Sequence, residues 1–131
     1  MDKKLKRLGI YVVLILLVVI AGKMYMSHKE AERQRDLHAV EKQSVKVLKH
    51  TFTDIKEIKV DKSAKNNMTG SYLMFITMTN QSGKSVYFDY SFWKEANELG
   101  TYGVVDETVQ KEGVTSHKIK VIYSNGTKEE M

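Results

Sequence analysis

The sequence predicts an α+β protein: an N-terminal transmembrane helix, then an amphipathic helix packed on an antiparallel sheet of about four to five strands. Three observations carry this. Residues 8–22 form an apolar run without a charge. Leu37, Val40, Ser44 and Val47/Leu48 then fall at helical spacing. From Phe52 the apolar period changes to two, the period of strands.

Composition narrows the classes. With 131 residues, 42% hydrophobic and 28% charged, the chain is sized for one small folded domain and is not a disordered one. It has no Cys, which excludes disulfides, thiolate metal sites, Cys nucleophiles and a lipid-modified Cys. The net charge of +5 suggests a nucleic-acid binder only until the charges are located. Residues 1–23 hold five bases against one acid, leaving sixteen bases against fifteen acids for the rest. No basic face able to neutralise phosphates is concentrated in that remainder, so no nucleic-acid partner is expected.

The apolar run comes first. As a helix, residues 8–22 reach about 22 Å, short of a hydrocarbon core of about 30 Å. Lys23 can snorkel, and Met24, Tyr25 and Met26 suit interfacial depth, so residues 8–26 reach about 28 Å. Leu8, Tyr11, Leu14 and Leu17 would meet lipid, with Lys23 and Tyr25 at its edge. A cleaved signal peptide is the main competitor. Val19-Ile20-Ala21 lacks the small-x-small cleavage pattern, which favours a retained anchor over a secreted domain. Lys3, Lys4, Lys6 and Arg7 abut the span and favour a cytoplasmic N-terminus, with the C-terminal domain outside. The expected organisation is a basic cytoplasmic tail (1–7), an anchor (8–26), a stalk and packing helix (27–50) and a β-rich extracytoplasmic domain (51–131).

Ser27-x-x-Glu30 reads as a capping box opening an amphipathic helix over 29–49. Its first part is almost wholly polar, as in a stalk. Its later apolar stripe is too short for a coiled coil and should dock on a sheet. Strands follow at 55–60, 72–79, 84–93, 102–110 and 114–123. Residues 61–70 read as a loop, 80–83 as a hairpin turn with Gly83 at positive φ, and 94–100 as an irregular link.

Motifs for chemistry are sparse. His28, His38 and His50 are spaced along one helix and cannot converge on a metal; His117 is remote in sequence. His28–Glu32 and His50–Asp54 are four apart, a spacing that arises by chance. Asp106-Glu107 would point to opposite faces of a strand. There is no phosphate loop, nucleophile elbow or zincin motif. The Asn-x-Ser/Thr triplets at Asn67, Asn80 and Asn125 are explained by turn chemistry. An enzyme and a cofactor are therefore not expected.

The most informative segment is 86–93. Val86, Phe88, Tyr90 and Phe92 share one face; Tyr87, Asp89, Ser91 and Trp93 share the other. In the preceding strand Tyr72, Met74, Ile76 and Met78 share one face and Leu73 and Phe75 the other. Both faces are more apolar than a one-sided sheet requires. The ordinary expectation is that loops or the last strands cover the second face. Left open, it would expose Tyr87 and Trp93, rigid amphipathic anchors of the kind that hold interfaces. Tyr87, Trp93, Asp89 and Tyr72 are the candidate binding residues.

The segments KLKRLGIYVVLILLVVIAGKMYM, HAVEKQSVKVLKHTF, NNMTGSY, MTNQSGKSVYF and KVIYSNGT together resemble small single-pass membrane proteins of unknown function from streptococci and related Gram-positive bacteria. The resemblance runs over nearly the whole chain and implies a bacterial membrane protein with a retained anchor. It implies no activity and no site residue. The expected function is a membrane-anchored interaction module, of inhibitor or immunity type, for another envelope or secreted protein. A sensor of an envelope ligand or small molecule is the alternative.

Overall fold

The structure is a computed structural model that describes the backbone from Asp2 and side chains from Gly9 onward. The side chains of the basic tail (1–7) and of the Leu8 anchor position fall outside the described residues. The chain divides into two units, Met1–Arg35 and Asp36–Met131.

α1 (Asp2–Thr51) makes up the first unit and runs on into the second; it carries an 18-residue window of mean hydropathy 2.2, none of it buried. That helix is long and apolar enough to cross a membrane. The capping box expected at Ser27 is not a helix start, because α1 runs through it. Helical N–H groups there already bond to carbonyls one turn earlier, so no cap is needed. The polar side chains pair locally instead: Arg33 binds Glu30 at 2.6 Å and His28 binds Glu32 at 2.9 Å.

The second unit is the helix-on-sheet domain. Its six strands are β1 (Ile55–Lys65), β2 (Tyr72–Asn80), β3 (Ser85–Trp93), β4 (Glu98–Tyr102), β5 (Lys120–Ile122) and β6 (Lys128–Glu130). Their order is β4-β3-β2-β1-β5-β6, and every pair is antiparallel except β1 with β5. The α+β class is as the sequence predicts, with one strand more than expected.

The buried stripe of α1 is Leu37, Val40, Glu41, Ser44, Val45 and Leu48. These positions recur every three to four residues, so they line one side of a helix. Alternate residues of β2 (Tyr72, Met74, Ile76, Met78) and β3 (Val86, Phe88, Tyr90, Phe92) form the other half of the core. Ile58 and Val60 of β1 and Val121 of β5 extend it, with Ile119 and Tyr123 flanking β5. Fully burying a side chain of this size stabilises the fold by about 1.5–3 kcal/mol relative to exposure.

Four stretches depart from the sequence expectation. The loop expected at 61–70 is strand as far as Lys65. A register shift between Val60 and Lys62 places an extra residue at Asp61, after which pairing with β2 resumes. The strand expected at 102–110 lies instead at 98–102. Beyond it the buried Gln110 replaces a strand partner: its Oε1 accepts N–H bonds from Val105 (2.6 Å) and Asp106 (3.1 Å). Asp106 and Glu107 therefore sit in a turn, where Asp106 accepts from Thr108 and pairs with Lys84 at 3.0 Å. Only 120–122 of the expected strand 114–123 joins the sheet. Its start and the residue before it satisfy the end of α1 instead, with Thr115 and Gly113 N–H donating to the carbonyls of Lys49 and Thr51. β6 is short and polar (KEE), so no period marks it. It is held from α1, by Lys42 Nζ on Glu129 (2.9 Å) and Lys49 Nζ on the Met131 carbonyl (2.8 Å).

Glu41 ties the ends of the domain together. Its carboxylate is 1% exposed and accepts three bonds: Ser124 N–H (2.8 Å), Ser124 Oγ (2.6 Å) and Ser63 Oγ (2.8 Å). One side chain on α1 thus fixes the late part of β1 and the β5–β6 turn. Ser44 bridges in the same way, donating to the Glu41 carbonyl and meeting the Tyr90 hydroxyl at 2.9 Å. Glu41→Ala is expected to destabilise the domain by about 1–3 kcal/mol or more, because it leaves the Ser124 N–H and the Ser63 and Ser124 hydroxyls without their shared acceptor. Urea unfolding of the full chain in detergent, followed by circular dichroism, checks this; Ser63→Ala, which removes one donor only, should cost less.

Tyrosines set the alkaline limit: burial raises Tyr90 and Tyr123 as well as Tyr72, and Tyr72 the least of the three. Burial, then its hydrogen bond to Asp36, pushes its phenol up to about 12. The folded state holds that proton more tightly than the unfolded one. The stabilisation is therefore complete below pH ~10 and is lost as pH rises through about 12. Urea midpoints should fall across this window, and less steeply in Tyr72→Phe.

Candidate interaction face

The hairpin joining β2 and β3 fixes which residues share a surface. Asn80 N–H donates to the Lys84 carbonyl and its Oδ1 accepts from Lys84 N–H, both at 2.9 Å, while Gly83 turns the chain at φ +85°. Pairing then runs without a shift from Thr79↔Ser85 to Tyr72↔Phe92. Opposed residues point the same way. The face away from α1 therefore carries Leu73, Phe75, Thr77 and Thr79 of β2, and Tyr87, Asp89, Ser91 and Trp93 of β3.

This face is open. Tyr87 is 57% exposed, and Leu73 and Trp93 are each 39% exposed. The coverage by loops or last strands expected from the sequence does not occur, because β4, β5 and β6 extend the same sheet sideways. Phe75 stacks on Tyr87 with ring centroids 6.4 Å apart and planes 17° from parallel. Thr77 Oγ1 donates to Asp61 at 2.7 Å and Thr79 meets Ser85 at 2.7 Å, so the small polar groups are partnered. At the β4 edge a Cβ on Gly100 would collide with Ser91 Oγ, so glycine lets that strand lie close.

Three of the four candidate binding residues share this surface: Tyr87, Asp89 and Trp93. Tyr72 does not. It is fully buried on the α1 side, with its hydroxyl donating to Asp36 at 2.5 Å. Its register partner is Phe92, a core residue. The sequence reading missed Lys62. The extra residue at Asp61 puts it opposite Phe75, on the open face. Of the described anchor positions, Tyr11, Leu14, Leu17, Lys23 and Tyr25 are all exposed along α1.

The histidines do not converge. The His38 ring packs on Tyr123 at 4.4 Å, His50 Nδ1 lies 2.8 Å from the Lys46 carbonyl, and His117 Nε2 lies 2.9 Å from the Ile55 carbonyl. Among the described residues no three His, Asp or Glu side chains group to hold a metal. No family model, curated protein or solved structure matches the chain.

Because Tyr87 is 57% exposed, Tyr87→Ala should shift the unfolding free energy by less than about 1 kcal/mol, and Trp93→Ala, at 39% exposed, should cost more than that but less than a core change. The core change Phe92→Ala should cost about 3–5 kcal/mol. Parallel urea titrations of the three variants check the contrast.

Proposed function

We propose that the chain is a single-pass membrane protein, N-terminus cytoplasmic, whose extracytoplasmic domain is a protein-interaction module. Its partner is another envelope or secreted protein, and the inhibitor or immunity type of role suits it. The observation that carries this reading is the open aromatic face of β2 and β3, opposite a fully packed core. Exposed Tyr and Trp held rigidly on strands give large contact area at low entropic cost. An apolar stretch of α1 whose 18-residue window has none of its residues buried supports the anchor, since lipid removes the cost of that exposure. The basic residues before it support the orientation.

Two measurements test the reading. The full chain should stay in the membrane fraction through an alkaline carbonate wash, and protease added to wall-stripped cells should cut a C-terminal tag. Recovery of the chain in the soluble fraction, or a protected tag, contradicts the anchor or its direction. In a cross-linked pull-down, the Tyr87→Ala, Trp93→Ala double variant should lose at least about tenfold of the partner protein. Undiminished recovery would place binding elsewhere.

A further inference from the structure

The open face carries a charge pattern that names an occupant. Across the sheet at Phe75, pairing places Lys62 on one side and Asp89 on the other. All three point away from α1. Lys62 and Asp89 are exposed, and neither makes an ion pair among the described residues. The row reads cation, aromatic, anion. One register step along lie Lys59, Thr77 and Tyr87, with Lys59 3.7 Å from Asp61 of its own strand.

Such a row is its own complement under one two-fold axis and not under another. Two copies can meet face to face about an axis lying along β2, or about an axis crossing the strands at Phe75. The crossing axis stacks Lys62 on Lys62 and Asp89 on Asp89, which repels. The axis along β2 exchanges the two sides of the sheet. It stacks Phe75 on Phe75 and Leu73 on Leu73, sets Lys62 over Asp89 of the second copy, and brings Lys59 over the Tyr87 ring, a favourable cation–π arrangement. We propose that this face takes a second copy of the chain, in a two-fold sheet-on-sheet dimer with Leu73 and Phe75 on the axis and reciprocal Lys62–Asp89 pairs beside it. The proposal rests on reading this face as the docking surface and the apolar helix as an anchor, and it names a second copy as the occupant of that face in place of a different envelope protein. Copies confined to one bilayer meet at raised effective concentration, so a modest patch can associate.

The test uses two differently tagged full-length chains, expressed together and recovered through one tag from detergent. The second tag should co-purify with wild type. Lys62→Glu and Asp89→Lys should each reduce co-purification at least about tenfold, since each sets like charges together. The double variant Lys62→Glu, Asp89→Lys should restore it, because the exchanged charges again oppose. Both positions are exposed, and circular dichroism of each variant confirms that it folds. Absent co-purification of wild type, indifference to the single reversals, or a double variant that stays apart each overturns the dimer. If wild type fails to self-associate while the Tyr87, Trp93 double variant still loses a different protein, the second-copy occupant falls and the docking face stands. If neither association depends on this face, both fall.

Discussion

A single helix can cover only one face of a sheet. That constraint governs the second unit of this protein. The stripe from Leu37 to Leu48 meets the inward residues of β2 and β3, and the remaining strands widen the sheet without forming a second layer. The sequence of β2 and β3 is apolar on both sides, so covering one side leaves Leu73, Phe75, Tyr87 and Trp93 facing out. Natural one-sided sheets usually place polar residues there. The departure is concentrated in β2 and β3, whereas β1 turns Glu57, Lys59 and Lys62 outward and β5 turns out Lys120.

Polar groups do much of the positioning. Glu41 sits among apolar neighbours and holds two distant segments through three hydrogen bonds. A buried carboxylate is tolerated only when its oxygens are bonded. Gln110 and Thr115 act similarly, satisfying backbone groups where strand pairing stops. These contacts explain why short, weakly patterned β5 and β6 are held at all.

Legibility in the sequence followed periodicity. β2 and β3 were readable because each alternates over nine residues around an Asn-Gln-Ser-Gly turn. The packing helix was readable from its stripe, although Ser27 misled as a cap because nothing local shows whether a preceding helix continues through it. The late part of β1 was hidden by polar composition and an extra residue. β4 was displaced because the valines at 104 and 105 resemble strand yet lie exposed in a loop. At the candidate face, alternation separated Tyr87, Asp89 and Trp93 from the core. It gave no means of knowing which side α1 would take, so Tyr72 was grouped with residues on the opposite surface. Lys62 needed the register, which depends on long-range pairing.

Trp93 is the sole tryptophan and lies on the outer face, so its fluorescence reports on that face alone. Acrylamide quenching should be compared for the full chain at one copy per micelle and packed densely in lipid vesicles. An accessible face that docks in the membrane predicts strong quenching in dilute micelles and a clear loss of quenching at high density. Weak quenching at every dilution would mean that the chain itself covers the face, and equal strong quenching in both would mean that nothing docks there.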